Sequence, residues 1–314
     1  MLFSVLIFFF FYLLLFPETA LRSTQNGLLL WYSSVLPVLF PFMLLCGLLL
    51  KFDFLKHLPK FLTKPFQALF GVSSHGSFAI ITGFLCGFPM GAKITSDLYS
   101  EGKISGEEAR FLLGFVNNLS PAFILSFLAT DQMGCPQLKL MFLGDILGAA
   151  VLYGLITSVY HRQRKAAFPE PHGPIVFHQQ SIADAYTQID ACIYDTVLNT
   201  VKLGVYITIF KIISDAVFHF IPLTDPLLLF LGASIEVTGG IQLLASSGLP
   251  FYLKFILVNS LCAFGGFSAL AQTVSIASLD GDALFYYIKS RVLITLLCAA
   301  LSFGSILLLS FLLG

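Results

Sequence analysis

Charge is scarce in this chain. Asp, Glu, Lys and Arg together make up 11% of its 314 residues, about half their usual share in a soluble domain. What charge there is balances, 17 basic against 17 acidic residues, so no polyanionic partner is indicated and nucleic-acid binding has no footing. Cysteine is present but unorganised. Cys46, Cys86, Cys135, Cys192, Cys262 and Cys298 stand singly, without a CxxC pair or a His at ligand spacing, so they give neither a disulfide framework nor a metal site. Enzyme motifs are missing too: there is no GxSxG, no HExxH and no Walker loop. Phe142-Leu143-Gly144-Asp145 lacks the first Gly and the matched second acid that an intramembrane aspartyl protease uses. Neither an enzyme nor a cofactor is expected.

What fills the chain is apolar. Hydrophobic residues make up 57% of it and the mean hydropathy is +0.89. A water-soluble fold cannot hide so much apolar surface, and the excess must face lipid. A helical bilayer span needs about 20 mostly apolar residues; residues 26–50, 111–130, 139–160, 197–221, 251–273 and 288–313 meet that demand. Residues 1–16 are slightly short but carry no charge. They lack the basic leader and small-residue cleavage site of a secretory signal, so an uncleaved first span is expected. The fold class is an all-α polytopic membrane protein, with membrane lipids as its first partners.

Charge placement sets the expected topology. Lys51, Lys56, Lys60 and Lys64 follow the second span, and Arg162, Arg164 and Lys165 follow residues 139–160. Both loops belong in the cytoplasm by the positive-inside rule, so an even number of crossings separates them. Three apolar stretches lie between, and the first, residues 76–94, is interrupted by Gly87-Phe88-Pro89-Met90-Gly91. Pro inside a helix costs about 3 kcal/mol and Gly about 1 relative to Ala. Parity and chemistry agree on a re-entrant hairpin that turns near Phe88-Pro89. In the second half, residues 227–244 are broken in the same way by Glu236-Val237-Thr238-Gly239-Gly240. This scheme leaves the N-terminus cytoplasmic and the C-terminus outside. It puts Asp280, Asp282, Lys289 and Arg291 in or beside a cytoplasmic loop.

The halves also match in register. Gly83, Gly87 and Gly91 are spaced four apart, as are Gly232, Glu236 and Gly240; Val116-Asn117 is matched by Val258-Asn259. Together these predict an inverted-topology repeat, an arrangement of secondary transporters whose sites lie where broken helices meet. The organisation is an N-terminal span over 1–25 and a first repeat over 26–160 with its hairpin near 76–94. A cytoplasmic linker follows over 161–186, rich in Pro169, Pro171, Gly173 and Pro174, and a second repeat over 187–314 with its hairpin near 227–247. Residues 95–110 read as a polar helix–turn, and residues 182–203 as an interfacial helix leading into the next span.

Non-helical backbone at membrane depth survives only when buried in protein or lining a wet cavity, so the two breaks predict a polar cavity between the hairpins. Glu236 is the most informative residue, since a carboxylate in an apolar span costs about 2.5–3.5 kcal/mol on insertion scales. It serves either as a titrating or ligand-binding group, with H⁺ or Na⁺ as the coupling ion, or as a cap for its own broken helix. Asn117, Asn118 and Ser120, with Pro121 opening the backbone, offer amides for a small polar solute or for bonds between helices. Gly87, Pro89 and Gly91 shape the first turn, where a restarting helix favours an anion; Lys93 either adds to that or snorkels. Thr238 belongs to the second turn. Asn259 reads as structural, as does the i,i+4 pair of Lys211 and Asp215.

These motifs carry a family resemblance. Gly87 to Lys93, Asp97-Leu98-Tyr99, and Asn117-Asn118-Leu119-Ser120-Pro121 resemble the YlbJ family of sporulation integral membrane proteins, and Gly232 to Gly240 looks like its second hairpin motif. That family is similar to the wider nucleoside-recognition (Gate) group. The resemblance spans roughly residues 26–312. It implies a protein of the bacterial cell membrane, active in spore formation, with a transporter-like core. It leaves two readings open: a carrier for a small polar solute, or a non-transporting scaffold or sensor for spore-envelope assembly. Neither the solute nor the oligomeric state is legible.

Overall fold

The computed structural model describes residues 2–52, 59–164, 182–220, 225–277 and 281–313, and among them every regular element is a helix. Lys56, Lys165, the four linker residues Pro169, Pro171, Gly173 and Pro174, and Asp280 lie outside the described residues.

Helix α1 (Leu2–Leu15) is followed by α2 (Pro17–Leu30), a wide π-type turn (Trp31–Val35) and α3 (Leu36–Lys51). The widening sits just before Pro37, which has no N–H to offer the ladder; the amide of Leu36 reaches back five residues to the Trp31 carbonyl instead. Helix α4 (Lys60–Phe70) ends on Gly71 at φ +69°, and the chain then turns through 96° into α5 (Ser74–Cys86). Helix α6 (Met90–Ser100) and α7 (Gly106–Leu113) follow. Glu108 on α7 is buried and accepts from the Ser73 amide at 2.6 Å, a carboxylate on the free N–H groups that open α5. A π-type helix (Phe123–Gln132) leads to α8 (Lys139–Arg164).

The second half begins with α9 (Ile182–Phe220), 39 residues in one helix. The interfacial helix and the span expected over 182–221 are therefore continuous. Helices α10 (Pro226–Ala233), α11 (Val237–Ser246), α12 (Phe251–Phe264), α13 (Gly266–Ala277) and α14 (Gly281–Leu313) complete the chain. The linker expected over 161–186 is narrower than predicted at both ends, since α8 runs on to Arg164 and α9 starts at Ile182.

Among the described residues, and besides the bent pair α4–α5, three stretches are long and apolar enough to cross a membrane: Pro136–Tyr160, Phe251–Ala277 and Gly281–Phe311. They coincide with three of the expected spans. Residues 111–130 differ, because the helix is open from Gly114 to Ser120, where the Asn-rich segment and Pro121 interrupt it. The exterior is strongly apolar, with Leu140, Ile156, Leu231, Phe285 and Phe311 exposed. Patches of that kind have no place on a soluble monomer and every place against lipid. The chain is an all-α polytopic membrane protein.

Two packing relations position the rest. Helix α9 runs antiparallel along α2 and α3. Trp31 Nε1 donates to the Thr200 carbonyl at 3.0 Å, Ser23 Oγ to Asp215 at 2.7 Å, and Lys51 meets Asp195 at 3.6 Å. Helix α14 runs antiparallel to α8, with Tyr153 bonded to Ser290 at 2.8 Å at one end and Ser305 donating to Asp145 at 2.8 Å at the other.

Of the six free cysteines only Cys135 is partly exposed, the other five being buried. A membrane-impermeant maleimide added to intact cells is expected to label Cys135 first if the segment between the π-type helix and α8 faces outward. Labelling only after permeabilisation would reverse the orientation.

Candidate functional site

Both expected breaks are present, and each is a hairpin of two short helices. Helices α5 and α6 turn at Gly87–Pro89, where Gly87 has φ +85° and the Phe88–Pro89 peptide is cis. Helices α10 and α11 turn at Ser234–Glu236. Each tip lies against an interrupted helix. The first meets the open segment Gly114–Ser120. A Cβ on Gly83 would fall 2.2 Å from the Val116 carbonyl oxygen, one on Gly91 2.3 Å from the same atom, and one on Gly87 2.7 Å from the Ser120 nitrogen. The four-residue glycine register is thus a track on which the unwound backbone 116–120 lies. Gly91→Ala is expected to lose roughly 1–3 kcal/mol of stability through overpacking. Gly144→Ala, on a helix with open space around it, should be neutral or slightly stabilising in the same melting experiment.

The second tip meets a break that the apolar run 251–273 does not announce. The α12–α13 span is interrupted at Gly265 and Gly266, both at positive φ. The amides of Phe267 and Ser268, freed at the start of α13, donate to the carbonyls of Ser234 and Ile235 at 2.7 and 3.1 Å. One irregular segment thereby satisfies the other. The first tip also crosses to this break, since a Cβ on Gly265 would sit 2.6 Å from the Phe88 ring. Asn259, matched to Asn117 in the sequence register, lies within helix α12, about one and a half turns before this break.

Between the two tips lies a cavity of ≈ 290 Å³. Its polar wall is made by Ser120, Glu236, Thr238, Ser268 and Gln272, and its apolar wall by Leu39, Phe88, Phe123, Phe127, Ile207 and Val237. It extends to Ser126 and Asp131, which are exposed. Helix α8 carries the chain from the neighbourhood of Asp131 to Arg162, so the mouth is at the end of the bundle opposite Arg162. Among the described residues, Glu236 and Asp131 are the charged groups of the lining, and no Lys, Arg or His belongs to it.

Glu236 is 2% exposed and is the N-cap of α11. Its Oε1 accepts from the Thr238 amide at 3.0 Å and its Oε2 from the Gly239 amide at 2.7 Å. A carboxylate at a helix N-terminus satisfies free donors and complements the dipole. Among the described residues it has no ion-pair partner; Lys211, which comes near Gly239, is bonded to Asp215 at 2.7 Å. Glu236 is therefore both a cap and part of the cavity wall.

Four of the residues singled out by sequence come together in the lining: Gly87, Ser120, Glu236 and Thr238. Ser120 Oγ also accepts from the Phe123 amide at 3.2 Å, capping the helix that resumes there. Pro89, Gly91, Lys93, Asn117, Asn118 and Asn259 sit elsewhere. Lys93 is ion-paired with Asp97 at 2.8 Å, one turn along α6. Asn117 is fully buried and ties three elements together: it accepts from the Ala92 amide at 3.4 Å and donates to Thr273 and Tyr287, both at 2.9 Å. Asn259 bridges α12 to α14 and α8 through Ser302 at 2.9 Å and Asp145 at 3.3 Å. Asn118 donates to the Phe115 carbonyl at 2.7 Å.

The sequence does not mark the role of Arg291, which lies at the start of the expected span 288–313. Expected in or beside a loop, it is fully buried on α14. Its Nη1 donates to the Asn117 carbonyl at 2.8 Å and to Asn118 Oδ1 at 3.3 Å, its Nη2 to the Gly114 carbonyl at 3.2 Å, and its guanidinium lies 5.3 Å from the Tyr287 ring centroid. The two carbonyls are acceptors that unwinding after α7 leaves without helical donors. Ser268 and Gln272 were also missed. They lie one turn apart on α13, with Gln272 Nε2 donating to Ser268 Oγ at 2.9 Å, and that i,i+4 polar pair inside an apolar span was the available signal.

No family model matches the chain, and no solved structure matches it. Among curated proteins it is similar to the Sporulation integral membrane protein YlbJ of Bacillus subtilis (strain 168), with 26% identity over 293 residues that cover 83% of this chain and 71% of the relative.

Proposed function

We infer, from a YlbJ-type integral membrane protein with this interior, that the cavity between its two hairpin tips takes a small polar solute and that the protein carries that solute across the membrane during spore formation. The single observation behind this reading is the cavity itself: a largely apolar space with one polar wall, at the meeting point of two helical hairpins and two interrupted helices, reaching an exposed mouth. Irregular backbone at membrane depth is tolerated where it is buried in protein or lines a cavity, and broken helices that meet at a cavity are an arrangement of secondary transporters. The hairpins, in the order and charge setting read from the sequence, are taken as the two halves of an inverted repeat.

The wall chemistry narrows the solute. With Glu236 and Asp131 in the lining and no basic side chain among its described residues, a neutral or cationic solute with hydrogen-bond donors suits the cavity better than an anion. Lys93, engaged with Asp97, offers an anion nothing. Glu236 is the group through which H⁺ or Na⁺ would be coupled to transport. Uptake into proteoliposomes under an imposed H⁺ or Na⁺ gradient tests this. Wild-type protein is expected to show gradient-dependent uptake and Glu236→Gln to lose the dependence; full ion-dependent uptake by Glu236→Gln would remove the coupling role.

One observation favours a second reading, a scaffold or sensor that does not transport. Both oxygens of Glu236 are already occupied by amides of its own helix. Under that reading, substitutions at Thr238 and Gln272 leave spore assembly intact while changes in surface loops abolish it.

A further inference from the structure

A second and larger concavity, ≈ 820 Å³, lies on the flank of the bundle between α7, α8 and α14, remote from the central cavity and independent of any reading of it. Because α8 and α14 are antiparallel, the groove has a direction. Arg110, Tyr160, Tyr286 and Lys289 line the end near Arg162, and Leu293, Leu296 and Leu297 line the part that runs deeper along α14. Leu296 and Ile156, on the opposite wall, are each 62% exposed, so the deep part is apolar and open to the side.

The shallow end is cationic. Arg110 and Lys289 are both exposed, and among the described residues neither has a carboxylate within ion-pair distance, although Glu107 also lines the groove. Arg110 is held over the Tyr286 ring at 4.9 Å, which fixes its guanidinium at the rim while leaving its donors free. Tyrosines flank both cations, as amphipathic rings do at headgroup level. Basic pockets between membrane helices at this depth recognise anionic lipid headgroups, and the charge follows the lipid's own polarity from head to tail.

We propose that this groove is a binding site for an anionic phospholipid, its phosphate held by Arg110 and Lys289 and its acyl chains lying along Leu293, Leu296 and Leu297. The geometry is complementary to a lipid with net negative charge and indifferent to a zwitterion, whose own cation offsets the attraction.

The test is native mass spectrometry of the purified full chain, titrated separately with dioleoyl phosphatidylglycerol and dioleoyl phosphatidylcholine, which share acyl chains and differ in headgroup charge. Two cations acting at a membrane surface predict a preference for phosphatidylglycerol on the order of tenfold. That preference should vanish in Arg110→Gln/Lys289→Gln and persist in Lys139→Gln, which removes the same charge at the far end of α8. If the double variant fails to fold, Lys289→Gln alone, an exposed surface change, is expected to show a reduced preference. Equal binding of the two lipids to wild type, or a preference that survives loss of both cations, would overturn the proposal; so would competition by glycerol phosphate as effective as that by the intact lipid, since the acyl half of the site would then contribute nothing.

Discussion

Glu236→Ala is expected to destabilise the protein by roughly 2–4 kcal/mol, because it strips the acceptors from two buried amides at once. Thr238 and Gly239 donate to the two carboxylate oxygens separately, at 3.0 and 2.7 Å. Neither amide has an alternative acceptor within the first turn of a helix, where the ladder has not yet begun. Glu236→Gln keeps one acceptor and loses the charge, so its cost should be about half. Thermal unfolding in detergent, followed by far-UV circular dichroism, separates the three proteins. A Glu236→Ala melting temperature equal to wild type would mean that the cap contributes nothing. The residue would then be held at membrane depth by function alone.

Arg291→Leu is expected to be at least as damaging, at about 3 kcal/mol or more, by leaving buried acceptors unmet. The guanidinium supplies donors to Gly114, Asn117 and Asn118, all on the open segment. Leucine fills the volume without meeting any of them, and the stacking on Tyr287 goes as well. Lysine retains a charge but replaces a planar fork with a point donor, so Arg291→Lys should fall between wild type and leucine. Because the open segment rests on the glycine track of the first hairpin, loss of Arg291 should also loosen Asn117 and Ser120. Hydrogen–deuterium exchange should rise over residues 114–120 first. Leucine and wild type melting together, with unchanged exchange over that segment, would refute the assignment of Arg291 as the clamp on the break.

The hairpins were legible because each is marked by chemistry that an apolar helix does not tolerate. Gly87 and Pro89 interrupt one run, and Glu236 with its paired glycines interrupts the other. Cavity residues beside those marks, Ser120 and Thr238, came with them. The break at Gly265 was not legible in the same way: two glycines in an apolar stretch carry little weight where glycine is common, and no proline or charge accompanies them. What reveals it is the pair of bonds from Phe267 and Ser268 to Ser234 and Ile235, a contact between distant segments. The role of Arg291 was not legible for a related reason. The run after it is long enough to span without it, so it reads as a flank charge, and its burial depends on carbonyls more than 170 positions earlier in the chain. Asn117 and Asn118 were candidates for a solute or for helix bridging; the bonds of Asn117 to Thr273 and Tyr287 are of the bridging kind, whereas Asn118 donates locally to the Phe115 carbonyl.

The central claim, that the space between the hairpin tips receives a small polar solute, is tested most directly by thermal shift on purified wild type, Thr238→Val and Gln272→Leu. All three are screened against a panel of neutral, cationic and anionic polar metabolites. A ligand at about 100 times its Kd adds roughly 2.7 kcal/mol to the native state. Neutral or cationic compounds are expected to raise the wild-type melting temperature and anionic ones not to, with both cavity variants losing the effect. Stabilisation by anions alone, or a shift that the two variants retain in full, would contradict the central claim.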